Sequence, residues 1–280
     1  MTDKTKQKVF KSGMAVIAAI VLIIVLIPIF WMLISAFKDK REVLPTEFII
    51  FPTKWKFDNF QKVFTKYYDI DFTASYFSTF AVAALGMALS LIVNSMAGYA
   101  FARLEFPLKK FFWPYVIFQM FVPGISILIT SIKVVAGLGM MNGFWVLVLP
   151  GIANGYNVFY FRQFFLGIPR GYEEAASIDG LGRFGIYFKI FIPLSVTPLI
   201  IIGASVFMGY WNSYLWPSLT VTDNVALKQI MQVLVILRSR YRGDYGVVVA
   251  GTIISVTGPL IIFVFAQKYV VQGVTISGIK

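Results

Sequence analysis

Six stretches of the chain lack Asp, Glu, Lys and Arg, and each is long enough to cross, or nearly cross, a lipid bilayer. They fall at residues 14–37, 72–102, 111–132, 144–161, 194–216 and 245–267. About 20 apolar residues in a helix span the hydrocarbon core. Inside that core only helices and closed barrels satisfy every backbone polar group. The sequence therefore predicts an all-α integral membrane protein with six transmembrane helices.

Charge and composition favour lipid over nucleic acid as the surroundings of this chain. Hydrophobic residues make up 58% and charged residues only 14%, whereas soluble domains are about one-quarter charged. The net charge of +12 could suggest nucleic acid. However, the basic residues form no stripe and sit between the apolar stretches, where they anchor helix ends at headgroups.

Several kinds of chemistry are excluded by residues that the chain lacks. It has no cysteine and no histidine, which removes disulfides, most zinc sites, and Ser–His or Cys–His nucleophile pairs. It has no Gly-x4-Gly-Lys-Ser/Thr phosphate loop, the motif that cradles nucleotide phosphates. We therefore expect no catalytic residues, no metal and no cofactor on this chain, and we expect that it is not an enzyme.

Mid-membrane charge is also missing from all six stretches. Pumps and ion-coupled carriers usually place ionisable side chains there. A stand-alone ion-coupled secondary transporter or channel is therefore disfavoured, and it remains the alternative interpretation.

The segment at residues 167–193, between the fourth and fifth stretches, predicts a docking element outside the bilayer. Its front half predicts one short helix, with two glutamates near the positive end of the helix dipole. Two alanines follow and offer a face that another protein can approach closely. A glycine then suits the left-handed conformation that ends a helix. These residues are Glu173, Glu174, Ala175, Ala176 and Gly180.

The back half of the same segment has three phenylalanines at helical spacing. They are Phe184, Phe188 and Phe191. This pattern predicts a helix that lies along the membrane surface.

Residues 174–193 resemble the EAA motif of ATP-binding-cassette importer permeases. That motif reads Glu-Ala-Ala-x3-Gly-x9-Ile-x-Leu-Pro, and every fixed position matches except one, because Ile192 stands in place of Leu. Further likeness points to the carbohydrate-uptake branch. Residues 99–109 resemble its YAFAR–FPxK turn. Residues 211–217 resemble its WN–WP segment, although Ser218 stands where Leu is commoner, and residues 267–280 resemble its C-terminal tail.

The resemblance is closest to the smaller permease subunits of the maltose and oligosaccharide importers, and it implies a function and a set of partners. The chain would be one transmembrane permease domain, residues 1–280, in the bacterial cytoplasmic membrane. Both termini and a coupling helix between helices 4 and 5 would be cytoplasmic. It would pair with a second homologous permease and an ATPase dimer that binds ATP and Mg. An extracytoplasmic solute-binding protein would deliver the carbohydrate.

Candidates for sugar contact are aromatic or planar polar side chains, since aromatic faces and amides are the groups that hold sugars. An alternative is that these side chains make helix–helix hydrogen bonds or form an interfacial aromatic belt. The candidates are Asn94, Gln119, Tyr210, Trp211, Asn212 and Tyr214.

The outer segment between the fifth and sixth stretches has a polar tip followed by an apolar run at residues 230–237. In maltose-type relatives the equivalent loop reaches into the binding protein. The resemblance therefore implies that Asp223 and Asn224 contact the binding protein during delivery. The alternative is a loop that packs only against the partner permease.

Topology is the first testable prediction. Lys and Arg are almost evenly divided between the two sides, so the positive-inside rule does not choose an orientation. From the resemblance we expect Lys4, Glu174 and Lys280 on the cytoplasmic side, and Lys56 and Arg240 outside. Single-cysteine labelling in intact cells measures this directly, because the chain has no native cysteine. Reaction of a cysteine at position 174 with an impermeant reagent from outside would contradict the assignment.

Overall fold

The computed structural model describes residues 3–43, 49–66, 69–242 and 244–277. Residues 278–280 of the tail, including Lys280, lie outside the described residues. Within the described ranges the regular elements are helices, so the all-α prediction is confirmed. Those of eight residues or more are α1 (Asp3–Ser35), α2 (Phe72–Arg103), α3 (Lys109–Gln119), α4 (Gly124–Gly137), α5 (Gly155–Leu166), α6 (Gly171–Ile178), α7 (Val196–Trp211), α8 (Ile230–Arg240) and α9 (Tyr245–Ser277).

Shorter helical turns lie between the long helices. They are Lys40–Val43, Asp58–Val63, Trp145–Val148, Leu149–Gly151, Arg183–Ile186, Tyr187–Phe191, Ile192–Leu194, Leu215–Thr220 and Val225–Leu227.

Three helices in the described part of the chain are long and apolar enough to cross a membrane. They are Phe10–Ser35, Phe72–Arg103 and Tyr245–Tyr269. Two bent pairs raise the number to five if each pair is one span. The first is α3 with α4, bent by 107°, and the second is Arg183–Leu194 with α7, bent by 81°. The stretch predicted at residues 111–132 is therefore a bent pair. Pro123 stands at its break as the N-cap of α4, where its missing N–H cannot continue a helix.

The stretch predicted as a span at residues 144–161 is not one continuous helix. A turn at Trp145–Val148 runs into a 3-10 turn at Leu149–Gly151, and α5 begins only at Gly155. Pro150 and Gly151 occupy this break, and both residues disfavour a continuing helix. The expectation of a single helix over 144–161 is corrected accordingly, and the count of six spans stays a prediction.

The chain divides into two compact units, one of which is Met1–Lys66 with Leu234–Val256. In this unit the buried Glu42 accepts hydrogen bonds from the backbone N–H groups of Thr53 (3.1 Å) and Asp39 (3.2 Å). The Thr53 hydroxyl also donates to it, and that hydrogen bond lowers the pKa of the Glu42 carboxyl. The buried Asn59 donates to the carbonyls of Ala36 and Lys38 at 2.9 and 3.0 Å. These contacts join residues 36–42, at and after the end of α1, to residues 53–59.

The second unit, Tyr67–Val233 with Thr257–Lys280, is built around α2. Glycines of α2 let neighbouring helices approach closely, as small residues do in membrane helix interfaces. A Cβ at Gly98 would lie 2.7 Å from the Phe161 Cβ of α5, and one at Gly86 would lie 2.5 Å from the Tyr210 ring of α7. Helix α2 is therefore in direct contact with both α5 and α7.

Substitution of Gly258 provides a test of this close packing. A Cβ there would overlap the indole ring of Trp211, which is 1% exposed and stacked with Phe207. Overpacking of this kind costs about 1–3 kcal/mol. We expect Gly258→Ala to lower the melting temperature of the purified protein in detergent. Gly137→Ala is the control, because a Cβ there meets nothing within 4 Å. Equal melting temperatures would contradict the packing.

Candidate functional site

Helix α6, the predicted docking helix, has one exposed face and one buried face. Glu174 and Ala175 are exposed, and Ile178 is 87% exposed. Ala176 is only 4% exposed, because it packs inward in a cluster with Ile186 and Phe191. Of the two alanines predicted to form the docking face, only Ala175 is exposed. Ala176 packs against other parts of this chain and holds the helix in place.

The end of α6 has the geometry predicted for Gly180. Its φ is +81°, in the left-handed region that glycine adopts without a Cβ clash. The Leu181 N–H donates to the Ala176 carbonyl at 3.0 Å, and the Gly180 N–H donates to the Ser177 carbonyl at 3.1 Å. This pair of bonds is the Schellman motif, which satisfies carbonyls that a helix end leaves free. The stop after α6 is thus fixed by local backbone chemistry.

Arg103, at the end of α2, connects α2 to the segment around α6. Its Nη2 donates to the carbonyl of Phe165 at 2.6 Å and also to that of Ile168. Its Nη1 lies 3.8 Å from Oε2 of Glu173, in the first turn of α6. The Arg103 side chain is 6% exposed, and its guanidinium lies 5.2 Å from the Phe191 ring centroid. One buried guanidinium thus joins the ends of α2 and α5 to the start of α6.

The sequence analysis did not include Arg103 among the site residues, although it belongs to the YAFAR signature at residues 99–103. Glu173, one of the predicted docking residues, is paired with the buried Arg103, while Glu174 is exposed. The two neighbouring glutamates therefore have different surroundings.

Aromatic side chains add contacts between α2 and the segment that follows α6. The Tyr99 ring centroid lies 4.8 Å from that of Phe191, and the Tyr187 hydroxyl lies 2.7 Å from the Ser95 hydroxyl. Phe184 and Phe188 are 69% and 57% exposed, whereas Phe191 is buried. The prediction of one exposed Phe face is thus wrong for Phe191. A π-helical turn over Tyr187–Phe191 widens the helix and changes the α-helical spacing on which the prediction relied.

A cavity of about 570 Å³ lies among α4, the break before α5, the start of α5 and α7. Of the six predicted sugar-contact residues, Tyr210 lines it, and its hydroxyl donates to the Val148 carbonyl at 2.8 Å. Gln119 lines a neighbouring cavity of about 630 Å³. Trp211 is buried against Tyr76 and Phe207. Asn212 and Tyr214 are exposed and do not line either cavity.

Asn94 has a structural position beside the break before α5. Its Nδ2 donates to the Ile152 carbonyl at 2.8 Å, and its Oδ1 accepts from the Asn154 N–H at 2.8 Å. These bonds join α2 to the non-helical segment before α5, and sugar contact by Asn94 stays a prediction. Several residues that line the cavity were not predicted from the sequence, although each is a polar residue inside an apolar stretch, which could have identified it. They are Ser131, Asn154, Asn157, Ser205 and Ser213.

Asp223 and Asn224, the predicted contacts with a binding protein, form part of a turn held by Asn142, which has a φ of 57°. Asn142 Oδ1 accepts from the backbone N–H groups of Thr222 (2.7 Å) and Asp223 (3.0 Å). The Asn224 amide donates to the Asn142 carbonyl at 3.3 Å. Thr222 and Asp223 remain exposed, so the tip is ordered and still accessible.

Comparison with known proteins identifies the family. Residues 94–276 match the family of binding-protein-dependent transport system inner membrane components. The chain belongs to this family. It is 30% identical to a lactose transport system permease of Rhizobium radiobacter over 88% of both chains. It is 28% identical to an arabinooligosaccharide transport system permease of Halalkalibacterium halodurans over 94% of both chains.

The fold has a counterpart among solved crystal structures. A bacterial ABC transporter involved in the import of the acidic polysaccharide alginate superposes with a TM-score of 0.77 at 21% identity, covering 94% of this chain and 97% of that one. The family match and the two permease relatives confirm the inferred resemblance to importer permeases, and the chain is a multi-pass permease component of a transport system. The stand-alone carrier or channel is the less favoured interpretation.

Replacement of Arg103 tests its connecting role. Arg103→Met keeps much of the side-chain volume and removes the guanidinium donor from the buried Ile168 carbonyl, which costs about 1–3 kcal/mol for an orphaned group. The Phe165 carbonyl keeps the Ile168 N–H as a donor. We expect a lower melting temperature and faster proteolysis within residues 167–193. Arg170→Met is the control, because Arg170 is exposed beside the same helix. The connecting role is wrong if both variants behave as the native protein does.

Proposed function

We propose that this chain is the permease subunit of a carbohydrate importer in the bacterial cytoplasmic membrane, with an oligosaccharide as its substrate. The observation that carries the proposal is the exposed α6, stopped by the Schellman motif at Gly180 and tied to α2 and α5 by Arg103. A short helix with an open face and a buried anchor suits transmission of movement from another protein. Support for the substrate class comes from the relatives named for lactose and arabinooligosaccharides.

In this proposal the chain works with a second homologous permease, an ATPase dimer and an extracytoplasmic solute-binding protein. The ATPase dimer binds ATP and Mg, and this chain contributes no cofactor and no catalytic residue. The exposed face with Glu174 and Ala175 contacts the ATPase. When the dimer closes, α6 moves with it, and the Arg103 contacts transfer that movement to α2 and α5. Buried contacts suit this role because packed interfaces switch between discrete arrangements and resist continuous deformation.

We further propose that residues 1–280 form one permease domain that crosses the membrane six times, with both termini and α6 in the cytoplasm. The bent pairs would each count as one crossing, and the broken segment before α5 would complete the sixth. Asp223, at the exposed tip held by Asn142, and its neighbour Asn224 would contact the binding protein on the outer side. Backbone order at that tip favours such a contact, since less entropy is lost on binding.

The proposal is tested by a substitution that disturbs the end of α6, with uptake of labelled sugar as the measurement. A Cβ at Gly180 meets nothing within 4 Å, so a substitution there acts through its left-handed backbone, at a cost of about 1–2 kcal/mol for a residue other than glycine. That cost shifts the population of the docked helix by about 5–30-fold. We expect Gly180→Val to reduce uptake of labelled lactose or arabinotriose by the whole complex to a similar extent, while the chain still inserts.

Gly182→Ala is the matched control, because a Cβ there also meets nothing within 4 Å and its φ is −73°. It should transport at the native rate. Native uptake by a well-expressed Gly180→Val variant would refute the docking role. An uptake that persists after the ATPase is inactivated would refute the importer itself.

A further inference from the structure

Arg162 is a half-buried basic side chain near the end of α5, one residue beyond the uncharged stretch at residues 144–161. Its Nε donates to the carbonyl of Phe101 at 3.2 Å. That carbonyl belongs to the last turn of α2, where a helix leaves its carbonyls without internal donors. One of the five N–H donors of the guanidinium thus caps the end of α2.

The fold leaves the two Nη groups of Arg162 without a partner. No hydrogen bond or ion pair joins them to any of the described residues. The guanidinium carbon instead lies 4.1 Å from the centroid of the Trp113 ring, and that ring is stacked with Phe159 of α5 at 6.2 Å and 17°. A cation is attracted to an aromatic face, but the face accepts no N–H in place of a phosphate or carboxylate oxygen. The ring therefore holds the guanidinium in position while four N–H donors stay available.

Apolar side chains beside Arg162 are exposed, which indicates that lipid surrounds this site. Leu166, four residues later on the same face of α5, is 44% exposed. Phe111 and Phe112, next to Trp113 in α3, are 70% and 44% exposed. Exposed apolar surface of this kind marks contact with a membrane in a multi-pass protein. A basic side chain near the end of a membrane helix extends towards the headgroups, whose phosphates are acceptors within its reach.

A second cation without a carboxylate partner lies at the start of α3. Lys110 is exposed, and it stands three residues before Trp113, so the two lie on one side of the helix. No ion pair joins it to the described part of the chain. Lys109 differs, since its ammonium is paired with Glu105 at 3.1 Å. Arg162 and Lys110 thus place two uncompensated positive charges beside the same indole ring.

We propose that Arg162, Trp113 and Lys110 form a binding site for one anionic phospholipid. The phosphate accepts from the Nη groups of Arg162, in the bidentate geometry that a guanidinium offers, and Lys110 adds a second attraction. A zwitterionic lipid carries its own cation, which both side chains repel, so the site selects a headgroup with net negative charge. Because Lys110 belongs to α3 and Arg162 to α5, the bound lipid joins these two helices. This inference goes beyond the proposed function and does not depend on the transported solute.

The test uses the full chain, purified in a neutral detergent and mixed with equal amounts of phosphatidylglycerol and phosphatidylcholine. Native mass spectrometry counts the lipids that stay bound. We expect a preference for phosphatidylglycerol, which should also raise the melting temperature. Lys110→Gln should weaken binding of phosphatidylglycerol about five-fold. It should keep the native melting temperature in lipid-free detergent, because Lys110 has no partner among the described residues.

Arg162→Gln should weaken binding of phosphatidylglycerol by about ten-fold, the effect of one lost charge-assisted hydrogen bond. This variant also removes the donor of the Phe101 carbonyl, so a lower melting temperature is expected as well. The deciding measurement is therefore the ratio of phosphatidylglycerol to phosphatidylcholine bound, which a purely structural role of Arg162 would leave unchanged.

Lys54→Gln is the matched control, because it removes one exposed lysine from the other compact unit. It should bind phosphatidylglycerol as the native chain does, and inorganic phosphate at the same concentration should not compete. The inference is overturned by equal binding of the two lipids to the native chain, or by the native preference in either Lys110→Gln or Arg162→Gln. It is also overturned by an equal loss in Lys54→Gln, or by competition from inorganic phosphate. Equal binding of the two lipids would instead favour a carboxylate of another subunit as the partner of Arg162.

Discussion

Arg103 holds together the part of the molecule on which the proposed function depends. It brings one positive charge into a nearly closed site, where an unpaired ion would cost several kcal/mol. The site compensates with the carbonyls at the end of α5, the carboxylate of Glu173 and the ring of Phe191. Carbonyls at a helix C-terminus carry partial negative charge, so α5 and Arg103 stabilise each other. A lysine could not make the same set of contacts, because it lacks the planar fork of the guanidinium.

A second constraint, from Asn94, operates at the other end of α5. The chain breaks before this helix at Pro150 and Gly151, and backbone groups at such a break need partners inside a membrane. Asn94 supplies both an acceptor and a donor, to the Asn154 N–H and the Ile152 carbonyl. The broken segment is thus stabilised by one side chain of α2, and the space beside the break becomes the cavity.

Features that depend on local sequence could be predicted, whereas features that depend on distant contacts such as these could not. The glycine stop at Gly180 was predictable because a left-handed residue is a local requirement. Long uncharged runs were predictable for α1, α2 and α9, since length and hydropathy decide them. The break at residues 149–154 was not, because apolar composition conceals it and its stabilising partner lies 58 residues or more away in sequence. The inward face of Ala176 was missed for a related reason, as it depends on Phe191 and on a π-helical turn.

Asn94 and Arg103 together hold α5 against α2 at both of its ends. Both side chains belong to α2, and they hold opposite ends of α5, whose 12 residues extend about 18 Å. One held end borders α6, and the other contributes Asn154 and Asn157 to the cavity. The close contact at Gly98 lies between them. In the proposed function, a displacement imposed on α6 would reach the cavity through this packed helix pair. Since Tyr210 borders the cavity from α7, a movement of α5 relative to α7 would change its width, which is the geometric requirement for releasing a bound solute.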